Sequence, residues 1–258
     1  MHAKILALLL SIAFSVAAEQ VTARQAQGLI RGFLLLRSLD GALLASGDLS
    51  QTSKGGQVTS KLALRFKDGS IHEETAVFSQ QRVFRLLTYR LVRRGPAFKR
   101  ATEMNVVGST GEVTVRYTDD DGKEKTVSER IKLPPDFANG MVPTLLTSIA
   151  PSTPKTTVSF VASTPKPQVV KLDISPEGEE SFSVGGVSHK AVRYVVKVDI
   201  GGISGVVAPI IGKQPPDTHV WIAAGAAPGF LKSEGPLYEG GPVWRIELAS
   251  PVWPKAVR

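Results

Sequence analysis

Few residues in this chain have both the type and the spacing to do chemistry. His72-Glu73-Glu74 is the one cluster with metal-ligand character, because on a strand His72 and Glu74 share a face. A metal centre needs at least three such ligands brought together, and His72, His189 and His219 stand far apart, so the sequence assigns no metal site. Glu73/Glu74 and Glu179/Glu180 are adjacent, point to opposite faces of any strand and cannot converge as acid and base; they read as solvated turns or edges. Asp119-Asp120-Asp121-Gly122 is similar to a calcium loop. With Gly122 as the loop glycine, however, Tyr117 falls at the first ligand position and Ser128 at the last, so a hairpin turn fits better. Ser152 and Ser163 each precede a lysine at the spacing of serine–lysine acyl enzymes, but Pro154 and Pro165 break the helix that such a pair requires. There is no G-x-S-x-G, P-loop or dinucleotide fingerprint. No catalytic residue and no cofactor is therefore assigned.

The most unusual feature is electrostatic. The chain has a net charge of +8, and residues 82–100 alone carry Arg82, Arg85, Arg90, Arg93, Arg94, Lys99 and Arg100 with no acid. Charge gathered in one stretch makes a local positive field, whereas a diffuse excess gives only general attraction to polyanions. Read as an unbroken strand, the stretch puts Arg85, Tyr89 and Arg93 on one face and Phe84, Leu86, Arg90 and Arg94 on the other. Arg85, Tyr89 and Arg90 are candidates for holding an anionic amphiphile or a phosphate-bearing envelope component. The competing reading is that these arginines pair with carboxylates on neighbouring strands. Trp221, set among the small residues Ala223, Ala224, Gly225, Ala226 and Ala227, is a fourth candidate for ligand contact, although a tryptophan there serves a core equally well.

The elements that must position these groups are β-strands. Leu62, Leu64 and Phe66 alternate with charged residues, as do Val113, Val115 and Tyr117, and Val170, Leu172 and Ile174. The run Val192, Tyr194, Val196, Val198, Ile200 and the run Trp244, Ile246, Leu248 repeat the pattern. Period two marks strands with one apolar face and one wet face. Turn chemistry bounds them: Lys67-Asp68-Gly69-Ser70, Asp40-Gly41, Asp121-Gly122 and Gly185-Gly186 each predict a hairpin. One stretch departs from the pattern. Residues 139–150, with Asn139 as cap, Pro143 in the first turn and Leu145, Leu146 and Ile149 as an apolar stripe, predict a short helix that covers a sheet edge or plugs one end of a curved sheet.

The ends of the chain bear on location. Lys4, an apolar run over residues 5–16 and small residues before Glu19 make a secretory leader with cleavage after Ala18. The run is about 12 residues, short of the roughly 20 that span a membrane, and the apolar stretch 201–212 is interrupted by Gly205 and Pro209. Cysteine is absent, which removes disulfide scaffolds, thiolate sites and the lipid-bearing cysteine of a lipoprotein. The expected organisation is a leader (1–18), a flexible or helical start (19–32), one β-rich domain (33–250) with a sub-boundary near 150–156, and a tail (251–258).

Several segments carry a resemblance: Phe66-Lys-Asp-Gly-Ser-Ile-His-Glu-Glu-Thr75, Gly95-Pro-Ala-Phe98, Pro134-Pro-Asp-Phe-Ala-Asn-Gly140, and Gly212-Lys-Gln-Pro-Pro-Asp217 leading to Trp221. Over about residues 33–248 the chain resembles a family of exported bacterial proteins with no established activity. The resemblance implies export and a β-rich fold, and nothing catalytic. In composition and architecture alone the chain is also similar to periplasmic half-barrels that carry lipids or lipoproteins. The expectation is thus a mostly β protein, an extended antiparallel meander forming a curved sheet or open barrel with one short helix. It is periplasmic or secreted and binds a lipid, glycan or other amphiphilic or anionic envelope component, not nucleic acid. The alternatives are an envelope assembly factor acting through a protein interface and a hydrolase with an unrecognised site.

Overall fold

The two-residue alternation becomes an antiparallel meander that runs from its middle to one edge, crosses over, and returns from the other edge. The structure, a computed structural model, describes residues 20–24, 27–199 and 215–251. The expected leader and the stretch 201–212 lie outside the described residues. The first half contains β1 (Ile30–Ser38), β2 (Leu43–Lys54), β3 (Gln57–Phe66), β4 (Ile71–Gln80), β5 (Phe84–Arg94), β6 (Thr102–Val107), β7 (Glu112–Thr118) and β8 (Glu124–Arg130). After the helix α1 (Val142–Leu146) come β9 (Thr156–Ala162), β10 (Gln168–Val184), β11 (Val187–Asp199), β12 (Thr218–Ala223), β13 (Phe230–Pro236) and β14 (Val243–Leu248).

Among the described residues these strands form one sheet in the order β8-β7-β6-β5-β4-β3-β2-β1-β14-β13-β12-β11-β10-β9. β1 and β14 close the centre, pairing Leu34 with Leu248 and Leu36 with Ile246. The hairpins form where the turn residues place them: Gly41, Gly69, Gly122 and Gly185 all adopt positive φ, the backbone region that glycine enters without a Cβ clash.

The sheet is open in its hydrogen bonding but curled in space. Val113 and Val115 near one edge share a core with Val158 and Val161 on the other edge strand and with Tyr194 and Val220 between. The connector and helix fill the inside of the curl, since Phe137, Met141, Leu145 and Leu146 belong to that same core. The helix is shorter than the stretch 139–150 that the sequence marks. Pro143 sits in its first turn, its N-cap is Met141 with no side-chain cap, and Leu145 and Leu146 are buried.

Asn139 does not cap the helix. It is 1% exposed, and its amide donates to the carbonyl of Val161 and accepts from the N–H of Val161, both at 2.8 Å. Ala138 N–H donates to Ser159 O at 2.8 Å, and Phe137 bridges Ser159 in parallel. The connector therefore covers the outer edge of β9, whose backbone groups would otherwise stand unpaired. Asn139→Ala is expected to lose about 2–3 kcal/mol, because two buried backbone groups are left without partners. Urea denaturation checks this, and a loss under about 1 kcal/mol would show that the clip is dispensable.

Candidate functional site

Antiparallel register lines up the inward side chains of β2 to β6 in rows. Gln51, Ser60, Ala76, Tyr89 and Val106 make one row. Leu49, Leu62, Glu74, Leu91 and Met104 make the next, and Gly47, Leu64, His72, Arg93 and Thr102 the third. An inner face that is otherwise apolar thus carries a track of polar groups. Glu74 is at its centre.

Glu74 is held from two sides. His72 Nε2 lies 2.8 Å from its Oε1, and the Tyr89 hydroxyl donates to its Oε2 at 3.1 Å. His72 is 1% and Tyr89 4% exposed. Burial pushes the Glu74 carboxyl up, but the hydrogen bond and charge of His72, the Tyr89 hydroxyl and the nearby Arg93 charge together hold it below the ordinary glutamate value. Burial first, and then the Glu74 charge, drives the Tyr89 phenol well above its usual value. Arg93 is itself buried, which lowers its pKa. Its guanidinium donates to Leu237 O at 2.7 Å and Ser163 Oγ at 2.6 Å, tying β5 to loops of the other half.

Glu74 borders a cavity of about 480 Å³ between the sheet, α1 and the β12–β13 loop. Its walls include Leu49, Leu62, Ala76, Val142, Phe160 and Phe230. Gln51, Ser60 and Thr144 add polar atoms: Gln51 Nε2 donates to Thr144 Oγ1 at 2.8 Å, while Gln51 Oε1 has no hydrogen-bond partner. At the rim, Gln27 Nε2 donates to Thr147 Oγ1 at 3.1 Å, and Ile30 and Arg31 also border the opening. Leu29, 87% exposed, adjoins it in sequence.

The four residues singled out in the sequence do not converge. A β-bulge on β5 separates them: Val77 pairs with Thr88 and Phe78 with Leu86, so Leu87 is the extra residue and the alternation changes phase there. Phe84, Leu86, Tyr89, Leu91 and Arg93 all face inward, whereas Arg85 and Arg90 are exposed on the opposite side. Arg85 and Arg90 thus stand on the opposite side of the sheet from Tyr89. Arg90 instead makes the cross-strand pair, with Glu103 at 2.8 Å. Trp221 is 3% exposed but lies in a separate cluster with Phe182, Ala191 and Leu231, and Lys232 Nζ sits 3.9 Å from its ring centroid. Its neighbours Val220 and Ile222 face the main core.

Glu73 and Glu74 do part to opposite faces, but Glu74 is no solvated edge group. The sequence puts Glu74 on one face with His72 but favours a solvated edge for it, and it does not single out Gln51 or Ser60. A signal was there, for Glu74 shares a face with His72, Ala76 and Phe78, and a charge on an apolar face marks a site. Asp119 accepts from the N–H groups of Asp121 and Lys123 at 3.1 and 2.8 Å, the geometry of a hairpin turn. Among the described residues no three His, Cys, Asp or Glu side chains gather at one place, and no helix is long and apolar enough to cross a membrane.

The fold and the cavity define a class, a curled antiparallel β-sheet enclosing an apolar pocket. Among solved structures the chain is similar to a β-barrel-like protein of a domain of unknown function, DUF1849, from Brucella abortus, at 9% identity, covering 89% of this chain and 100% of that one with a TM-score of 0.47. No protein-family model matches the chain, and no curated protein does.

Proposed function

We propose that the protein is an exported, non-enzymatic binder of an amphiphilic component of the cell envelope, and that the ligand's apolar part occupies the cavity inside the curled sheet. The observation that carries this reading is the cavity itself. About 480 Å³ of space stays open against the inner face, with a mostly apolar lining and few polar groups. Ile30 stands exposed on the cavity lining, next in sequence to the exposed Leu29, where apolar surface suits the entry of an apolar molecule. The basic start, apolar run and small residues ahead of Glu19 support export.

Native mass spectrometry of the purified protein is expected to show a bound small molecule with an apolar body. Protein stripped of it by organic extraction and refolded is expected to take up an environment-sensitive apolar dye. Absence of both the adduct and the dye uptake would remove the reading.

A further inference from the structure

The polar groups that border the cavity differ in what they still have to offer. Gln27 and Thr147 are engaged with each other, and Thr147 Oγ1 also donates to Thr144 O at 2.7 Å. Thr144 Oγ1 is taken by Gln51 Nε2. Glu74 is different. An ionised carboxylate accepts at about four lone-pair sites, and only two are occupied, by His72 and by Tyr89. Its side chain keeps 26% exposure, and it borders the cavity. Gln51 Oε1 is also unpartnered but is itself buried, so Glu74 is the acceptor open to the cavity. The open charged function is therefore an acceptor, with the Ser60 and Ser233 hydroxyls on the same lining.

The cations nearby do not spend these acceptors. Arg31 is exposed at the rim, where water screens it. Arg93 lies one register row away beside His72 and gives its hydrogen bonds to Leu237 and Ser163. A ligand with an anionic head would set like charge against Glu74, whose carboxylate is partly withdrawn from water, and that costs more there than in bulk water.

Resting on the reading proposed above, we infer that the ligand is an amine: an apolar body whose ammonium group lies against the Glu74 carboxylate. An ammonium brings three donors and a positive charge, which suits the open lone pairs of the Glu74 carboxylate. A hydroxyl head offers a single donor and no charge, so it binds more weakly. The preference runs against the net charge of +8, which by itself attracts anions.

The test is isothermal titration calorimetry of the purified protein, stripped of any bound molecule, with decylamine, decanol and decanoate near neutral pH and below their aggregation limits. Decylamine is expected to bind at least about tenfold more tightly than either of the others, a difference set by a charge-assisted contact. In Glu74→Gln, its fold checked by circular dichroism, that preference is expected to shrink to within about threefold. Decanoate or decanol binding as tightly as decylamine to the unaltered protein overturns the inference and leaves the cavity reading standing. Binding of none of the three overturns the cavity reading itself. The ligand series on the unaltered chain decides between these outcomes even if the variant fails to fold.

Discussion

Gly95→Ala is expected to destabilise the protein by about 3–5 kcal/mol, from backbone strain and overlap acting together. Gly95 ends β5 with φ of +103°, and an added Cβ would stand 2.5 Å from Ser70 Oγ, 2.6 Å from Ser70 Cα and 2.9 Å from Ser70 Cβ. Ser70 has no room to retreat. It is completely buried, its carbonyl accepts from Phe66 N–H at 2.9 Å, its hydroxyl accepts from Ala97 N–H at 2.9 Å, and its own N–H donates to Asp68 at 2.9 Å. The substitution therefore pushes the β5–β6 loop away from the β3–β4 hairpin. With it moves Phe98, which packs edge-on to Phe66 at 5.3 Å between ring centroids. Gly69→Ala is the control, since it also has positive φ but nothing within 4 Å of its Cβ position. It is expected to cost about 1 kcal/mol, the strain alone. Urea unfolding of the two variants separates overlap from strain, and equal losses would show that the contact with Ser70 is soft.

The hairpins were legible in the sequence because turn chemistry is local. Lys67-Asp68-Gly69-Ser70 and Gly185-Gly186 mark the ends of β3 and β10 to the residue. The alternation in β3, β7 and β14 identified the buried faces in the same way. The pairing of β1 with β14 was not legible, since nothing local in Leu34 or Leu248 states that they are partners. Nor was the curl that gives Val113 and Val161 one core. The reading of residues 82–94 failed for a specific reason. Strict alternation mixes cations with apolar residues on both faces, and one extra residue, Leu87, sorts Tyr89 and Arg93 inward and Arg85 and Arg90 outward. That mixture was itself the sign of a phase change, because a strand in a sheet with one buried face tolerates no such pattern. Asn139 misled in another way. An asparagine ahead of an apolar run suits a helix cap, and here its amide copies a backbone pair toward Val161.

Removing the acceptor at the centre of the polar track should have an effect as large as the glycine substitution. Glu74→Leu keeps the volume roughly filled but leaves His72 Nε2 and the Tyr89 hydroxyl, both buried, facing hydrocarbon. Each orphaned donor costs about 1–3 kcal/mol, so the variant is expected to lose about 2–6 kcal/mol near neutral pH. The groups near Glu74 are His72 on its own strand, Tyr89 and Arg93 on β5, Gln51 and Ser60 in the neighbouring row of the same wall, and Arg31 elsewhere on the cavity lining. Because its folded carboxyl titrates below the ordinary value of 4.5, the unfolded chain binds this proton first as the solution is acidified. The stabilisation is therefore fully present above about pH 4.5 and is lost as pH falls through the depressed folded value. Glu74→Leu, having no carboxyl there, is expected to show a shallower acid loss than the unaltered protein, so the gap between them narrows on acidification. A second change tests the cause. Tyr89→Phe removes one orphaned donor, so the Glu74→Leu/Tyr89→Phe pair is expected to be about 1–2 kcal/mol more stable than Glu74→Leu alone, although Tyr89→Phe by itself is destabilising. A double variant no more stable than Glu74→Leu would mean that cavity water already satisfies the tyrosine, and that the loss arises from the electrostatics around Arg93.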